Sequence, residues 1–171
     1  MDALKGLIRH VPDFPKSGIL FYDITTLLRD RTGFAQAVEC LAMPYRDAAI
    51  DLVVGIESRG FILGAAVAQR LGLGFVPVRK PGKLPSRTVR VEYELEYGTD
   101  ALEMHDDAIE RGQRVLIVDD LLATGGTARA TVDLIARSGA EVHGLAFLIE
   151  LEALNGRSRL ENQKVFAALR Y

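Results

Sequence analysis

The chain carries two adjacent carboxylates shortly before a loop of small residues, and these residues have the types and spacing to do chemistry. Asp119 and Asp120 follow the apolar run 115–118. The small-residue loop consists of Ala123, Thr124, Gly125, Gly126 and Thr127. Its backbone N–H groups and hydroxyls, at the start of a helix, favour a phosphate, and the carboxylates offer acceptors for sugar hydroxyls. The pattern predicts a site for a phosphorylated sugar.

A second turn, at residues 55–60, follows another apolar run and reads Gly-Ile-Glu-Ser-Arg-Gly. Its spacing approaches that of an ATP-binding P-loop, but apolar residues stand where that motif needs a lysine and a hydroxyl. Ser58 also lacks the glycine two positions earlier that a hydrolase nucleophile turn requires. We therefore interpret the turn as a pyrophosphate-binding loop, in which Arg59 and the backbone N–H groups around Ser58 face the anion.

A basic loop with backbone-breaking residues follows later in the chain. Residues 79–85, called the basic loop here, read Arg-Lys-Pro-Gly-Lys-Leu-Pro, so Arg79 and Lys83 can neutralise a polyanion after the loop closes. Residues 91–97 then alternate apolar and acidic side chains, which is typical of a half-exposed strand. We expect residues 80–98 to form a mobile loop that closes into a strand.

The elements that must position these loops have the pattern of an α/β fold. The predicted strands are residues 51–56, 75–79, 115–118 and 142–149. Helical patterns separate them, including a helix at 61–71 that ends before Gly72, which predicts a central, mainly parallel sheet flanked by helices. In such sheets, ligands bind beyond the carboxyl ends of the strands, where both glycine-containing loops lie.

Four other segments complete the predicted organisation. A short helix is expected near residues 4–8, and a longer helix is expected to end before Pro44. The segment 11–28 has no clear periodicity and is expected to be irregular. Residues 156–171 are interpreted as a tail that packs on the surface, with no derived role.

Length and composition exclude several classes of protein. The 171 residues are 49% hydrophobic, which is enough for one domain with its own core. The 21 basic and 23 acidic residues give a net charge of -2, so no broad basic surface is available for nucleic acid. Apolar stretches are too short to cross a membrane. We therefore expect a soluble protein. Cys40 is the only cysteine, so no internal disulfide is possible, which fits the reducing cytoplasm. Cys40 and the histidines also lack zinc-site spacing.

Residues 115–127 resemble the sugar-pyrophosphate signature of the type I phosphoribosyltransferases. In that signature an apolar strand, two acidic residues and a small-residue loop follow one another, as they do here. The basic loop, followed by Leu-Glu-Tyr-Gly at residues 95–98, is similar to the members of the family that act on adenine. The resemblance implies the type I phosphoribosyltransferase fold, a mainly parallel sheet with flanking helices.

The resemblance extends to the N-terminal part of the chain. Residues 12–15 and 18–24 are similar to the hood of the same family, the small part that recognises the base. The resemblance implies one domain over residues 1–171, with a hood at about 1–30 and a flexible loop at about 80–98.

Residue by residue, the resemblance implies how the base is held. Phe21 and Leu121 are expected to sandwich a purine ring, while the backbone around Leu20 and Tyr22 reads its hydrogen-bonding edge. Many members carry an arginine where this chain has Tyr22. Because backbone readout tolerates side-chain change, this departure affects local side-chain contacts only.

The implied reaction joins adenine to 5-phosphoribosyl 1-pyrophosphate and gives AMP and pyrophosphate, a step of purine salvage. Glu96 is the implied catalytic carboxylate, which manages the proton at purine N7, with Arg59 and Lys83 as charged assistants. The implied ligands of the sugar pyrophosphate are Ser58, Arg59, Arg79, Lys83, Asp119, Asp120, Ala123, Thr124, Gly125, Gly126 and Thr127. Magnesium is the implied cofactor, held mainly by substrate oxygens with no dedicated protein ligand. The resemblance also implies a homodimer.

Two other functions are compatible with the same signature. One is a phosphoribosyltransferase for a 6-oxopurine such as hypoxanthine or xanthine, which the hood disfavours. The other is a regulator that binds the sugar pyrophosphate without catalysis. Such a regulator is expected to carry a DNA-binding extension or a basic face, and the slightly negative net charge disfavours it.

Overall fold

A computed structural model describes residues 2–94 and 98–171 and shows a central parallel sheet with helices on both faces. In chain order the elements are α1 (Asp2–Lys5), β1 (Arg9–Pro12), β2 (Leu20–Asp23), α2 (Thr25–Arg29), α3 (Arg31–Ala42), β3 (Leu52–Ile56), α4 (Arg59–Leu71), β4 (Gly74–Val78), β5 (Thr88–Glu94), β6 (Thr99–His105), β7 (Arg114–Leu122), α5 (Gly126–Arg137), β8 (Glu141–Glu150) and β9 (Val165–Arg170). The five central strands lie in the order β4-β3-β7-β8-β9, and every neighbouring pair is parallel.

Strand β7 shows why its apolar run lies in the middle of the sheet. β7 pairs with β3 on one side and with β8 on the other. Leu116 and Val118 pack with α3 and α4 on one face, whereas Val115 and Ile117 pack with α5 on the opposite face. All four side chains are fully buried, which contributes about 1.5–3 kcal/mol each before the loss of chain entropy. The predicted α/β architecture is confirmed.

Helix α4 connects the first two central strands and begins earlier than its apolar pattern predicts. It starts at Arg59 and ends at Leu71, and Gly72 then adopts a left-handed conformation with φ of 71°. The predicted stop at this glycine is therefore confirmed. Leu63 and Val67 are buried against the sheet. Because the helix starts at Arg59, this side chain belongs to the first helical turn.

The segment after β4 forms a hairpin that the sequence predicts only in part. β5 pairs antiparallel with β6, and Val91 lies opposite Leu102. These two side chains are buried in the core shared with α5, which gives the hairpin a hydrophobic face. The expectation of one strand closing a mobile loop at 80–98 is thus incomplete, because its partner strand was missed. Residues 95–97, including Glu96, lie outside the described part of the chain.

Both terminal segments are more regular than expected. The segment 11–28, predicted to be irregular, contributes to the antiparallel pair β1–β2 and forms α2. The segment 156–171, interpreted as a surface tail, supplies β9, which extends the central sheet beside β8. Ala168 and Leu169 of β9 are buried, so this strand belongs to the core of the fold.

Candidate functional site

The carboxyl ends of β3 and β7 bring the two glycine-containing loops to one edge of the sheet. The strands are adjacent and parallel, with Gly55 opposite Val118. The turn after β3 therefore lies beside the two aspartates. A Cβ added to Gly60 would lie 2.7 Å from Oδ1 of Asp119. Glycine at this position lets the start of α4 pack directly against that carboxylate.

Asp119 and Asp120, the acidic pair, lie within β7 and not after it. The sequence places the end of the strand at residue 118, but pairing with β8 continues to Leu122, opposite Glu150. The backbone N–H of Asp120 donates to Oδ1 of Asp119 at 2.9 Å. Nε of Arg59 donates to Oδ2 of Asp120 and forms an ion pair with it. The first residue of α4 is thus bound to the acidic pair.

The charge of Asp119 is poorly compensated by its surroundings. The residue has intermediate exposure, and its Oδ1 lies against the start of α4 at Gly60. Burial, together with the charge of Asp120, raises the pKa of Asp119 well above its usual 3.8, although Arg59 acts in the opposite direction. Hydrogen-bond donors such as sugar hydroxyls would therefore stabilise the charged form of this carboxyl group.

The small-residue loop, residues 123–127, leads from β7 into the first turn of α5. Gly125 has a φ of 82°, a left-handed conformation that glycine adopts without strain, and α5 begins at the next residue. The loop lines a pocket of about 70 Å³ together with Asp119 and Phe147. A cavity of this size at a helix N-terminus suits a phosphate group.

The basic loop is tied to the turn after β3 by its own charges. Nε of Arg79 lies 3.1 Å from Oε2 of Glu57, and the backbone N–H of Lys80 donates to the same oxygen at 3.1 Å. Partial burial raises the pKa of Glu57, but these hydrogen bonds outweigh it and hold the pKa below its usual value. Nη1 of Arg79 donates to the carbonyl oxygen of Lys83. The side chain of Lys83 is exposed, and so is Ser58 in the turn after β3.

A polar chain that sequence reasoning missed connects the basic loop to the small-residue loop. Nζ of Lys80 forms an ion pair with Asp100, which also accepts a hydrogen bond from the hydroxyl of Tyr93 at 3.3 Å. The same hydroxyl lies 3.4 Å from Oγ1 of Thr127. Tyr93 and Asp100 are opposite each other in the β5–β6 hairpin. The alternation at 91–97 indicated a strand at Tyr93, but no local pattern indicated its partner.

On the side of the hood, Phe21 reaches the acidic pair through Arg59. The centre of the Phe21 ring lies 5.3 Å from Cζ of Arg59, and the ring contacts Phe14 edge-on at 5.1 Å. Leu121 directly follows Asp120 and is partly buried. Leu20 is exposed and Tyr22 is half-buried. The structure thus brings Phe21 to the edge of the sheet where β7 ends.

An acidic pair beside a small-residue loop and a helix N-terminus, at the carboxyl edge of a parallel sheet, is typical of domains that bind a phosphorylated sugar or nucleotide. The model of one such family, the phosphoribosyl transferase domain, matches residues 26–167 of this chain. The matched range contains both loops at the edge of the sheet and the basic loop. It begins after Phe21, so most of the hood lies outside it.

Known proteins resemble the chain over nearly its whole length. The adenine phosphoribosyltransferase of Acidobacterium capsulatum is 63% identical over 170 residues, covering 99% of this chain and 94% of the relative. The crystal structure of adenine phosphoribosyltransferase from Thermoanaerobacter pseudethanolicus has a TM-score of 0.97 at 50% identity and covers 99% of both chains. The Saccharomyces cerevisiae enzyme, complexed with D-2,5-dideoxy-2,5-imino-altritol 1,6-bisphosphate and adenine, has a TM-score of 0.93 at 42% identity, covering 98% of this chain and 97% of that one.

The chain belongs to the phosphoribosyltransferase family and, within it, to the adenine phosphoribosyltransferases. The family resemblance and the fold expected from the sequence are thereby confirmed. The roles of individual site residues remain predictions.

The acidic pair offers two carboxyl groups to a metal ion. Among the described side chains, no group of three or more His, Cys, Asp or Glu could hold a metal, and Arg59 already occupies Oδ2 of Asp120. Carboxylate oxygens are nevertheless ligands that Mg²⁺ prefers. The pair therefore suits a magnesium ion that arrives with most of its ligands on the substrate.

No helix within residues 2–94 and 98–171 is long and apolar enough to cross a membrane.

Proposed function

We propose that this chain transfers the phosphoribosyl group of 5-phosphoribosyl 1-pyrophosphate to adenine, giving AMP and pyrophosphate in purine salvage. The position of Arg59 carries the proposal. This side chain pairs with Asp120 and lies 5.3 Å from the ring of Phe21, so it joins the predicted sugar side to the predicted base side. Adenine bound to the Saccharomyces cerevisiae relative supports the same base for this chain.

The sugar and its phosphate would be held by the end of β7 and the loop that follows it. Backbone N–H groups of residues 123–127 and the hydroxyls of Thr124 and Thr127 would bind the 5-phosphate, helped by the positive end of the α5 dipole. Asp119 and Asp120 would accept hydrogen bonds from the ribose hydroxyls. This two-point attachment fixes C1 of the ribose relative to the base, which is the main requirement for an in-line displacement.

The leaving pyrophosphate would lie against the turn after β3 and the basic loop. Backbone N–H groups near Ser58 and the cations of Arg59, Arg79 and Lys83 would stabilise the negative charge that develops as the C1–O bond breaks. In the present arrangement Arg59 and Arg79 are paired with carboxylates. Binding of the substrate would therefore replace these carboxylate partners, wholly or in part, with phosphate oxygens.

On the opposite side, Phe21 and Leu121 would stack against the two faces of adenine, with the backbone at Leu20 and Tyr22 reading its edge. Adenine N9 bonds to C1 as pyrophosphate leaves, and the proton released from the purine passes to Glu96. Glu96 lies outside the described residues, so its role rests on the resemblance of residues 95–98 to the family alone. The stacked, partly enclosed base would also exclude water, which competes for the sugar cation.

Two further features are inferred from the family. Magnesium would supply positive charge to the pyrophosphate and polarise its bond to C1. Substrate oxygens would hold it for the most part, and the carboxylates of Asp119 and Asp120 could share in holding it. A homodimer in the cytoplasm is the expected state of the chain. Light scattering on the purified protein tests the dimer, and titration with magnesium and a chelator tests the metal.

The proposed function is tested by an assay of pyrophosphate release with four bases. We expect adenine to exceed hypoxanthine, guanine and xanthine in kcat/KM by about 100-fold or more, since unpaired polar groups in a site penalise the wrong base strongly. A higher kcat/KM with a 6-oxopurine would overturn the choice of base. Tight binding of the sugar pyrophosphate without turnover of any base would overturn the enzymatic function.

A further inference from the structure

The small-residue loop rests on the backbone of Gly156, a residue of the C-terminal segment. A Cβ added to Gly156 would fall well inside 3.0 Å of the carbonyl oxygen of Ala123, 3.0 Å from Cδ1 of Leu122 and 3.1 Å from the backbone N of Gly125. From the other side, a Cβ on Gly125 would fall equally close to the carbonyl oxygen of Gly156. The two backbones are thus in direct contact, with no room for a methyl group on either one.

Arg157 holds this segment in place. Its Nε and Nη2 donate to the two carboxylate oxygens of Glu150 at 2.6 and 2.8 Å, and its Nη1 donates to the carbonyl oxygen of Val165 at 2.9 Å. Glu150 is only 4% exposed and lies opposite Leu122, the last residue of β7. A bidentate, partly buried pair of this kind has a well-defined geometry. Arg157 therefore fixes Gly156 relative to the strand end from which the loop starts.

We infer that Gly156 and Arg157 are positioning residues for the binding of the 5-phosphate. The inference rests on the proposed function, because it takes the small-residue loop as the phosphate site. Backbone N–H groups bind a phosphate only within a narrow range of distance and angle. The surface underneath the loop thus determines where those groups lie, although neither Gly156 nor Arg157 is part of the predicted site. Nothing in the sequence indicates this contact, since it joins segments about thirty residues apart.

The conformation of Gly156 makes a sharp test possible. Its φ lies outside the left-handed region, so alanine can adopt the same backbone dihedral angles. The residue begins a short helical turn, Gly156–Leu160, where alanine is otherwise favourable. The consequence of Gly156→Ala should therefore come from the contact with Ala123. Ordinary Cβ contacts begin at 3.4 Å, so the loop must move away.

We expect Gly156→Ala to raise KM for 5-phosphoribosyl 1-pyrophosphate and Kd for ribose 5-phosphate about tenfold or more, while KM for adenine changes less than about threefold. Arg157→Lys keeps the charge, adds no atom near the loop and loses the bidentate geometry, so a smaller change in the same direction is expected. This second variant also serves if Gly156→Ala does not fold. Steady-state kinetics and calorimetry with ribose 5-phosphate provide the measurements.

Two reference variants separate the possible failures. Gly112→Ala forces alanine into a φ of 83° in open space remote from the loop, so it should lower stability without changing either KM. Thr127→Ala tests the loop itself. If Thr127→Ala leaves Kd for ribose 5-phosphate unchanged, the proposed phosphate site is wrong. If Thr127→Ala weakens binding but Gly156→Ala and Arg157→Lys leave it within twofold, or act only as Gly112→Ala does, the positioning role is wrong.

Discussion

The two predicted anion-binding ends of the candidate site are built in opposite ways. The small-residue loop is electrically neutral and rests on the backbone of Gly156. The other end, formed by the turn after β3 and the basic loop, relies on cations that are paired with the protein's own carboxylates. Arg59 binds Asp120, and Arg79 binds Glu57.

This difference indicates two modes of recognition. On the proposed function, the neutral loop would need no change of partners to bind a phosphate, because its N–H groups are fixed by the strand, the helix and the segment beneath. The cationic end would have to exchange carboxylates for phosphate oxygens, since the same guanidinium groups cannot fully serve both. We therefore expect substitutions at the neutral end to change affinity for the sugar phosphate, and those at the cationic end to change recognition of pyrophosphate.

The largest expected effect lies at neither anion end. If Glu96 handles the purine proton, Glu96→Gln should lower kcat by about 100-fold or more, while Kd for 5-phosphoribosyl 1-pyrophosphate changes only a few fold. Glu92→Gln is a matched control, because Glu92 is exposed and pairs only with the neighbouring Arg90 in the described structure. Single-turnover kinetics and calorimetry measure the two quantities. Unchanged kcat in Glu96→Gln would remove its proton role.

Lys83 and Thr127 belong to opposite ends of the predicted site. Lys83→Ala should raise KM for pyrophosphate in the reverse reaction about 10-fold to 100-fold, because one cation of the leaving-group site is lost. Kd for ribose 5-phosphate should stay within about twofold, since the small-residue loop is untouched. Thr127→Ala should give the reverse pattern. Equal weakening of both ligands by both variants would contradict the division of the site.

Replacing Asp119 of the acidic pair should raise stability and weaken substrate binding. Asp119→Asn can keep the hydrogen bond from the backbone of Asp120 but removes an enclosed charge. We expect stability at pH 7 to rise by about 1 kcal/mol, which corresponds to a Tm increase of about 2–4 °C in a chain of this size. Affinity for 5-phosphoribosyl 1-pyrophosphate should fall in calorimetry. A lower Tm at pH 7 would contradict the pKa direction.

The pH dependence of that stability follows from the raised pKa of Asp119. The folded protein keeps this proton to a higher pH than the unfolded chain. The stability that the bound proton contributes is therefore complete below pH 3.8 and is lost as the pH rises through the folded pKa. The Tm advantage of Asp119→Asn should therefore shrink as pH falls towards 4. Asp51 is a control of opposite sign, because hydrogen bonds from Arg114 lower its pKa. Asp51→Asn should lose Tm at pH 7, and that loss should fade in acid.

The sequence predicts the centre of the fold better than its edges, for a physical reason. The runs in β3 and β7 are buried on both faces, so their apolar residues are continuous and recognisable. Strand β6 escapes detection because Glu103 is buried among apolar neighbours, where it accepts a hydrogen bond from the backbone of Gly82. Its burial depends on a contact with the basic loop, and no periodicity in the strand itself reveals that contact.

The same distinction applies to the candidate site. Residues at the ends of central strands, such as Arg59 and Asp120, can be placed together from topology alone. Partners from elsewhere in the chain cannot. Lys80, Tyr93 and Gly156 reach the site through side-chain or backbone contacts whose geometry depends on the packed structure.

The smallest expected effect tests whether the two anion ends act independently. The Tyr93 hydroxyl lies between them, 3.4 Å from Oγ1 of Thr127 and 3.3 Å from Asp100, which also binds Lys80. These are long hydrogen bonds, so Tyr93→Phe should change Kd for ribose 5-phosphate and KM for pyrophosphate by only about twofold to fivefold. A double-mutant cycle combines Tyr93→Phe with Lys83→Ala and compares these two constants in the single and double variants. If the two ends are independent, the coupling free energy from either constant should be below about 0.5 kcal/mol. A larger coupling would show that the β5–β6 hairpin links ligand binding at one end to ligand binding at the other. The neutral and cationic ends would then not be independent.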